Sequence, residues 1–212
     1  MPLPVSPPQH EPLGTILGSR AKVSLLRVLT ARSAPISQRE LARRAGVALR
    51  SAQAALADLD AMGIVKKYEG GRDHLTLLNE THILAQGLIS LFREESELPR
   101  NVRRELVMLA SGEKKPPLGM YLFGSVARAE ETVDSDLDVL LVARDAGHRD
   151  LLLERVLSGV AALRSGYGTV VRPLAYTFDE ATLGLRRRAA PWPDIARDAV
   201  SIIGPALSEL LT

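Results

Sequence analysis

The sequence predicts a mixed chain of the α/β (α+β) class in two modules, and three observations carry that prediction. Apolar residues recur at helical spacing from Arg20 to Gly63 and then give way to two β-prone runs around Gly70–Gly71. A charged, proline-rich turn, "GEKKPPLG" (112–119), separates that half from the next. Beyond it, "MYLF" (120–123) and "VLLV" (139–142) read as buried strands among helical segments, the pattern of a mixed sheet flanked by helices.

The elements follow in order. "MPLPVSPPQHEP" is proline-rich and is expected to be a disordered tail over residues 1–13. "GSRAKVSLLRVLTAR" puts Ala21, Leu25, Leu26 and Leu29 on one helical face, and Pro35 ends the helix. Ser37 caps a short helix, "QRELARRAG", with Glu40 completing a capping box. Gly46 turns the chain into a third helix, "ALRSAQAALADLDAMG", closed by Gly63. "IVKKYEGGRDHLTLL" is a hairpin around Gly-Gly. "THILAQGLISLFREESEL" and "PRNVRRELVMLAS" are two connecting helices within 81–112, and the second module fills 113–212.

Two helices around a glycine turn followed by a hairpin resemble the winged helix-turn-helix family over residues 14–80. That resemblance implies double-stranded DNA as a partner. The third helix would bring Arg50, Ser51 and Gln53 to base edges, with Arg39, Arg43 and Arg44 on phosphates and Arg72 at the hairpin tip. The charge distribution agrees: Arg20–Arg72 holds eleven Lys/Arg against four acids, while the rest of the chain is mildly acidic. The alternative is a solvated basic face on a dimerisation or protein-docking module. The chain has no cysteine, which excludes disulfides and thiolate metal sites. With no membrane-length apolar run and no signal-peptide core, a cytoplasmic protein is expected.

The chemistry concentrates in "GSVARAEETVDSDLDV" (124–139). After a strand, Gly124-Ser125 exposes backbone N–H groups that a phosphate can approach closely. Asp136 and Asp138 alternate at the head of the next strand and so share a face. Two such carboxylates need a positive partner, either a metal ion or an arginine such as Arg128 or Arg144. The stretch resembles the signature of the DNA polymerase β-type nucleotidyltransferases: Gly-Ser, ten residues, Asp-x-Asp.

The resemblance implies that Asp136 and Asp138 are catalytic and bind one or two Mg²⁺ ions. Gly124, Ser125, Arg128 and Ser135 would hold ATP or another nucleoside triphosphate. It further implies a mixed sheet with the signature at its edge and transfer of AMP to a protein, an RNA end or a small molecule. A homodimer is expected. Where relatives carry glycine after the arginine, this chain has Ala129.

The rest of the module reads as the helix "HRDLLLERVLSGVAALRSG", the strand "YGTVVRPLAYT", the helix "DEATLGLRRR" capped by Asp179, and the strand "AVSIIG". Relatives that transfer nucleotides place a third carboxylate on the strand that here reads "TVVRPLAYT", which holds Arg172 and no acid. Asp179 or Glu180 could reach in, or a partner could supply the acid. Otherwise the domain is an inactive nucleotide sensor or assembly element in a transcriptional regulator. Arg186–Arg188 read as a solvated helix end, and Trp192 as a packing anchor.

Overall fold

The computed structural model describes residues 12–70, 73–112, 115–130 and 135–211, and the chain divides into two units, Met1–Glu97 and Leu98–Thr212. In the first unit, α1 (Pro12–Leu17) begins inside the stretch expected to be a tail; proline suits a helix's first position because its φ is already helical. Residues 1–11 lie outside the described residues. Helix α2 (Arg20–Thr30) is capped by Ser19, whose hydroxyl accepts from the Lys22 amide at 3.2 Å. A two-residue strand β1 (Ile36–Ser37) leads into α3 (Gln38–Arg44), and α4 (Leu49–Ala61) follows the turn at Gly46, where φ is +63°. Leu25, Leu26, Leu41, Leu56 and Leu59 are fully buried together, each stabilising the unit by roughly 1.5–3 kcal/mol.

The hairpin is present: β2 (Val65–Gly70) pairs antiparallel with β3 (Asp73–Leu78), and β1 joins to give the order β1-β3-β2. Strand β1 was not anticipated, because two residues carry no periodicity. Ser37 does cap α3, accepting from the Glu40 amide, but the expected capping box is only half formed. The Glu40 carboxylate turns instead to Arg43 and Arg44, whose charge draws it more strongly than a backbone N–H.

Where two connecting helices were expected, one helix, α5 (Ala85–Ser111), runs through Pro99. Proline removes one backbone hydrogen bond and crowds the preceding turn, at about 3 kcal/mol. Burial of Leu88 and Phe92 on one side of it and of Val102, Leu106 and Ala110 on the other offsets that cost, each in its own unit's core.

The second unit holds β4 (Gly119–Phe123), α6 (Gly124–Ala127), β5 (Leu137–Ala143), α7 (Ala146–Tyr167), β6 (Val171–Thr177), α8 (Phe178–Arg187), α9 (Trp192–Asp198), β7 (Val200–Ile203) and α10 (Leu207–Leu210). Sheet order is β6-β5-β4-β7, with β5 and β6 parallel across α7 and the other pairs antiparallel. The signature strands β4 and β5 are therefore the inner pair rather than the sheet's edge. Both faces are covered, so β5 is a continuous buried run from Val139 to Ala143. Met120, Leu137, Val139 and Leu141 face one core; Tyr121, Phe123, Leu140 and Val142 face the other.

The cap of α8 is Thr177, not Asp179: its hydroxyl accepts from the Glu180 amide while Glu180 accepts from the Thr177 amide, a full capping box. Trp192 is buried with its ring 5.1 Å from that of Tyr176. Helices α9 and α10 are short and were not foreseen. Among the described residues, no helix is long and apolar enough to cross a membrane.

Candidate functional site

The site begins where β4 ends. Phe123 is paired with Asp138, which brings the next residue, Gly124, against the Asp138 carboxylate. Gly124 has φ +76°, and a Cβ placed there would lie 2.5 Å from Asp138 Oδ2. Glycine is thus required twice, by conformation and by space. Helix α6 is a single turn, and the chain leaves it through Ala129 at φ +55°. Ala129 is the position where the family glycine was missing, and its backbone adopts the conformation glycine favours.

Burial raises the Asp138 carboxyl above its ordinary value; Asp136 pushes the same way, and the Arg172 charge opposes. Alternation places Asp136 and Asp138 on the face that continues as Leu140 and Val142. On parallel β6, Arg172 is in register with Asp138, and its Nη2 donates to Asp136 Oδ2 at 2.6 Å. Asp136 is 19% exposed and Arg172 70%. The cation on the pair is therefore neither Arg128 nor Arg144; the latter donates to the Pro116 carbonyl. Asp179 and Glu180 do not reach in. They follow the far end of β6, which lies about 17 Å along the strand from Arg172, and Glu180 is bound to Thr177 and Arg149. Asp136 and Asp138 are the residues that could hold a divalent cation; no group of three His, Cys, Asp or Glu forms among the described residues.

Arg128 is already engaged. It donates to Glu130 at 2.7 Å and to Asp198, a buried carboxylate at the end of α9 that also takes two hydrogen bonds from Arg197. These bonds, Arg197's first, hold the Asp198 carboxyl below its ordinary value against its own burial. Asp198 was missed because a lone Asp before a strand gives no signal in sequence; its effect is to tie the end of α6 to α9. Ser125 sits half-buried in α6. Ser135 directly precedes Asp136. With Val126, Leu122 and Leu137 it lines a cleft of about 490 Å³, and Leu122 and Leu137 belong to the sheet's other face.

In the first unit Arg39, Arg43, Arg44, Arg50, Ser51 and Gln53 are all exposed, on α3 and the start of α4. Arg43 and Arg44 each donate to Glu40 at 2.7 Å, and those bonds hold its carboxyl down to about 2. Arg72 lies outside the described residues.

Residues 87–166 match the family described as "Putative nucleotidyltransferase DUF294". The match takes in Gly124, Ser125, Asp136 and Asp138, stops before β6, and covers well under half of the chain. No curated protein matches the chain significantly. A solved structure described as "Crystal structure of the toxin-antitoxin with AMP-PNP" aligns over 51% of this chain and 80% of its own, at 16% identity and a TM-score of 0.34. That likeness is too loose to carry an inference. The family match supports a nucleotidyltransferase-type domain at the coarse level.

Proposed function

We propose that this is a DNA-binding protein carrying a Mg²⁺-dependent nucleotidyltransferase domain that transfers AMP from ATP, or the monophosphate of another nucleoside triphosphate, to a protein, RNA or small-molecule acceptor. On this reading 14–80 is a winged helix-turn-helix, 81–112 the connection and 113–212 the transferase module. The observation that carries it is the close approach of Gly124 to Asp138, beside Asp136, within the segment that matches the nucleotidyltransferase family.

The donor set fits Mg²⁺, a hard ion commonly held by one or two carboxylates together with substrate phosphates. When bound, the ion would offset charge on the phosphates and on departing pyrophosphate. The chain's own part is to present Asp136 and Asp138 on one strand face and to leave the Gly124 backbone bare for a phosphate. The Ser125 hydroxyl and amide would donate to that phosphate. For the first unit, the order α3, turn, α4, hairpin and the basic face of α3 and α4 support DNA as the partner.

One observation favours a second reading, a nucleotide sensor that does not turn its ligand over. Arg172 stands on β6 where an acid was expected, and a guanidinium stays protonated and cannot accept an acceptor's proton. Incubating the protein and cell extract with α-labelled ATP and Mg²⁺ separates the two. Transfer is expected in wild type, with loss of roughly a hundredfold or more in an Asp136→Ala/Asp138→Ala variant. Aspartate-dependent nucleotide binding without transfer to any acceptor would establish the sensor instead.

A further inference from the structure

We propose that Arg172 is the permanent cation of this site and takes the place of a second divalent ion, so that the pocket binds one metal ion per nucleoside triphosphate. The inference rests on the nucleotidyltransferase reading and concerns how many ions that reading requires.

The supply of acids comes first. On the face that carries Asp136 and Asp138, β6 contributes Arg172, Leu174 and Tyr176, and no third acid joins the pair among the described residues. Two carboxylates balance one divalent ion; among the described residues a second ion would find no acid of its own and would depend on the triphosphate alone, to which Arg172 already offers a charge.

Position comes next. The parallel register sets Arg172 beside Asp138, and its Nη2 holds one oxygen of Asp136 at 2.6 Å, which leaves the other Asp136 oxygen and Asp138 for a metal. The register is fixed by seven consecutive pairs, from Leu137↔Val171 to Ala143↔Thr177, so the arginine cannot slip away from the carboxylates with the strand. A guanidinium is charged at every working pH, and a fixed positive charge within a few ångströms of one divalent ion repels another.

Exposure completes the case. Asp136 is sheltered at 19% while Arg172 is 70% exposed, so the arginine side chain stays open to a ligand from solvent while it holds the carboxylate. The planar fork of a guanidinium matches phosphate oxygens in pairs, so the residue that excludes the second ion can bind the phosphates that ion would have bound.

The number of ions is read by equilibrium dialysis of the full chain with Mn²⁺ and a non-hydrolysable ATP analogue, counting bound Mn²⁺ by electron paramagnetic resonance. Wild type and Arg172→Lys are expected to bind one Mn²⁺ per nucleotide complex, and Arg172→Asp two. Two ions on wild type overturn the proposal and leave the nucleotidyltransferase reading standing. One ion on Arg172→Asp, folded by circular dichroism, overturns it as well, and no ion on any form overturns both. Should Arg172→Asp fail to fold, Arg172→Ala decides: loss of the repelling charge is expected to tighten Mn²⁺ by about three- to tenfold, and an unchanged Kd sinks the idea.

Discussion

Each unit pairs its candidate ligand-facing charges from within, but the two do so differently. In the first unit Glu40 gathers Arg43 and Arg44 from its own helix, three and four residues on, with every partner at the surface. In the second, Arg172 crosses from one strand to Asp136 on the next, and the glycine beside the pair has no room for a side chain. The helix-borne set is generic: such pairs form on many exposed helices and are readily exchanged for a phosphate. The sheet-borne set is built, since backbone conformation, strand register and burial all constrain it. A built site should be intolerant of change and a generic one permissive.

The sharpest way to break that comparison is at two left-handed residues, Gly124 at the start of α6 and Ala129 just beyond its end. Gly124→Ala should lose about 1–3 kcal/mol of stability, from the strained φ and the collision with Asp138, and weaken nucleotide binding by roughly tenfold or more. Ala129→Gly should do the opposite and gain up to about 1 kcal/mol, because glycine relieves the φ of +55°. Thermal melts and nucleotide titrations read both; a neutral Gly124→Ala would show that the second site is as permissive as the first.

A smaller effect is expected on DNA. Glu40→Gln frees Arg43 and Arg44 and removes a negative charge, so duplex affinity at low salt should rise by roughly three- to tenfold, with a steeper salt dependence. Arg50→Ala should lose discrimination between sequences, whereas Arg43→Ala should weaken all duplexes alike. Fluorescence anisotropy across salt concentrations tests this, and a Glu40→Gln chain with wild-type affinity would remove α3 from the interface.

The smallest effect is on pH. Glu40 is held down to about 2 by its arginines, so its stabilisation is complete above the ordinary value of 4.5 and is lost as pH falls toward 2. Asp138 has the opposite sign. Its raised pKa means the folded state penalises the charged form, so its contribution worsens as pH rises above 3.8 and the penalty vanishes below. In chelator, Glu40→Gln should lower Tm near neutral pH and match wild type at about pH 2, whereas Asp138→Asn should raise Tm near neutral pH and match wild type at about pH 3. Shifts of the same sign would refute the contrast.

Local features of the fold were legible and long-range ones were not. Helical periodicity, the Ser37 cap and the Gly-Gly hairpin are written within a few residues of themselves, and the alternation of Asp136 and Asp138 follows from strand geometry alone. The errors came where a local signal was overridden from afar. Pro99 reads as a break, but apolar residues on both sides of it are held in the units' cores. The bond from Arg128 to a buried carboxylate seventy residues on was likewise not legible, because nothing near Arg128 announces Asp198. Arg172 could be assigned to the right strand position from sequence, whereas its bond to Asp136 depends on β6 lying parallel to β5, which no local pattern states.

Sheet order also sets a schedule for synthesis. The strands of the order β1-β3-β2 have all been made once the ribosome passes residue 78. Strand β4, by contrast, finds its second neighbour only in β7, which ends at Ile203. At about 5–20 residues per second, that partner follows completion of the first sheet by roughly 6–25 s. From the completion of β4 at Phe123 until then, roughly 4–16 s, one edge of β4, the strand that delivers Gly124, presents unpaired N–H and C=O groups, the kind of edge on which neighbouring nascent chains can pair.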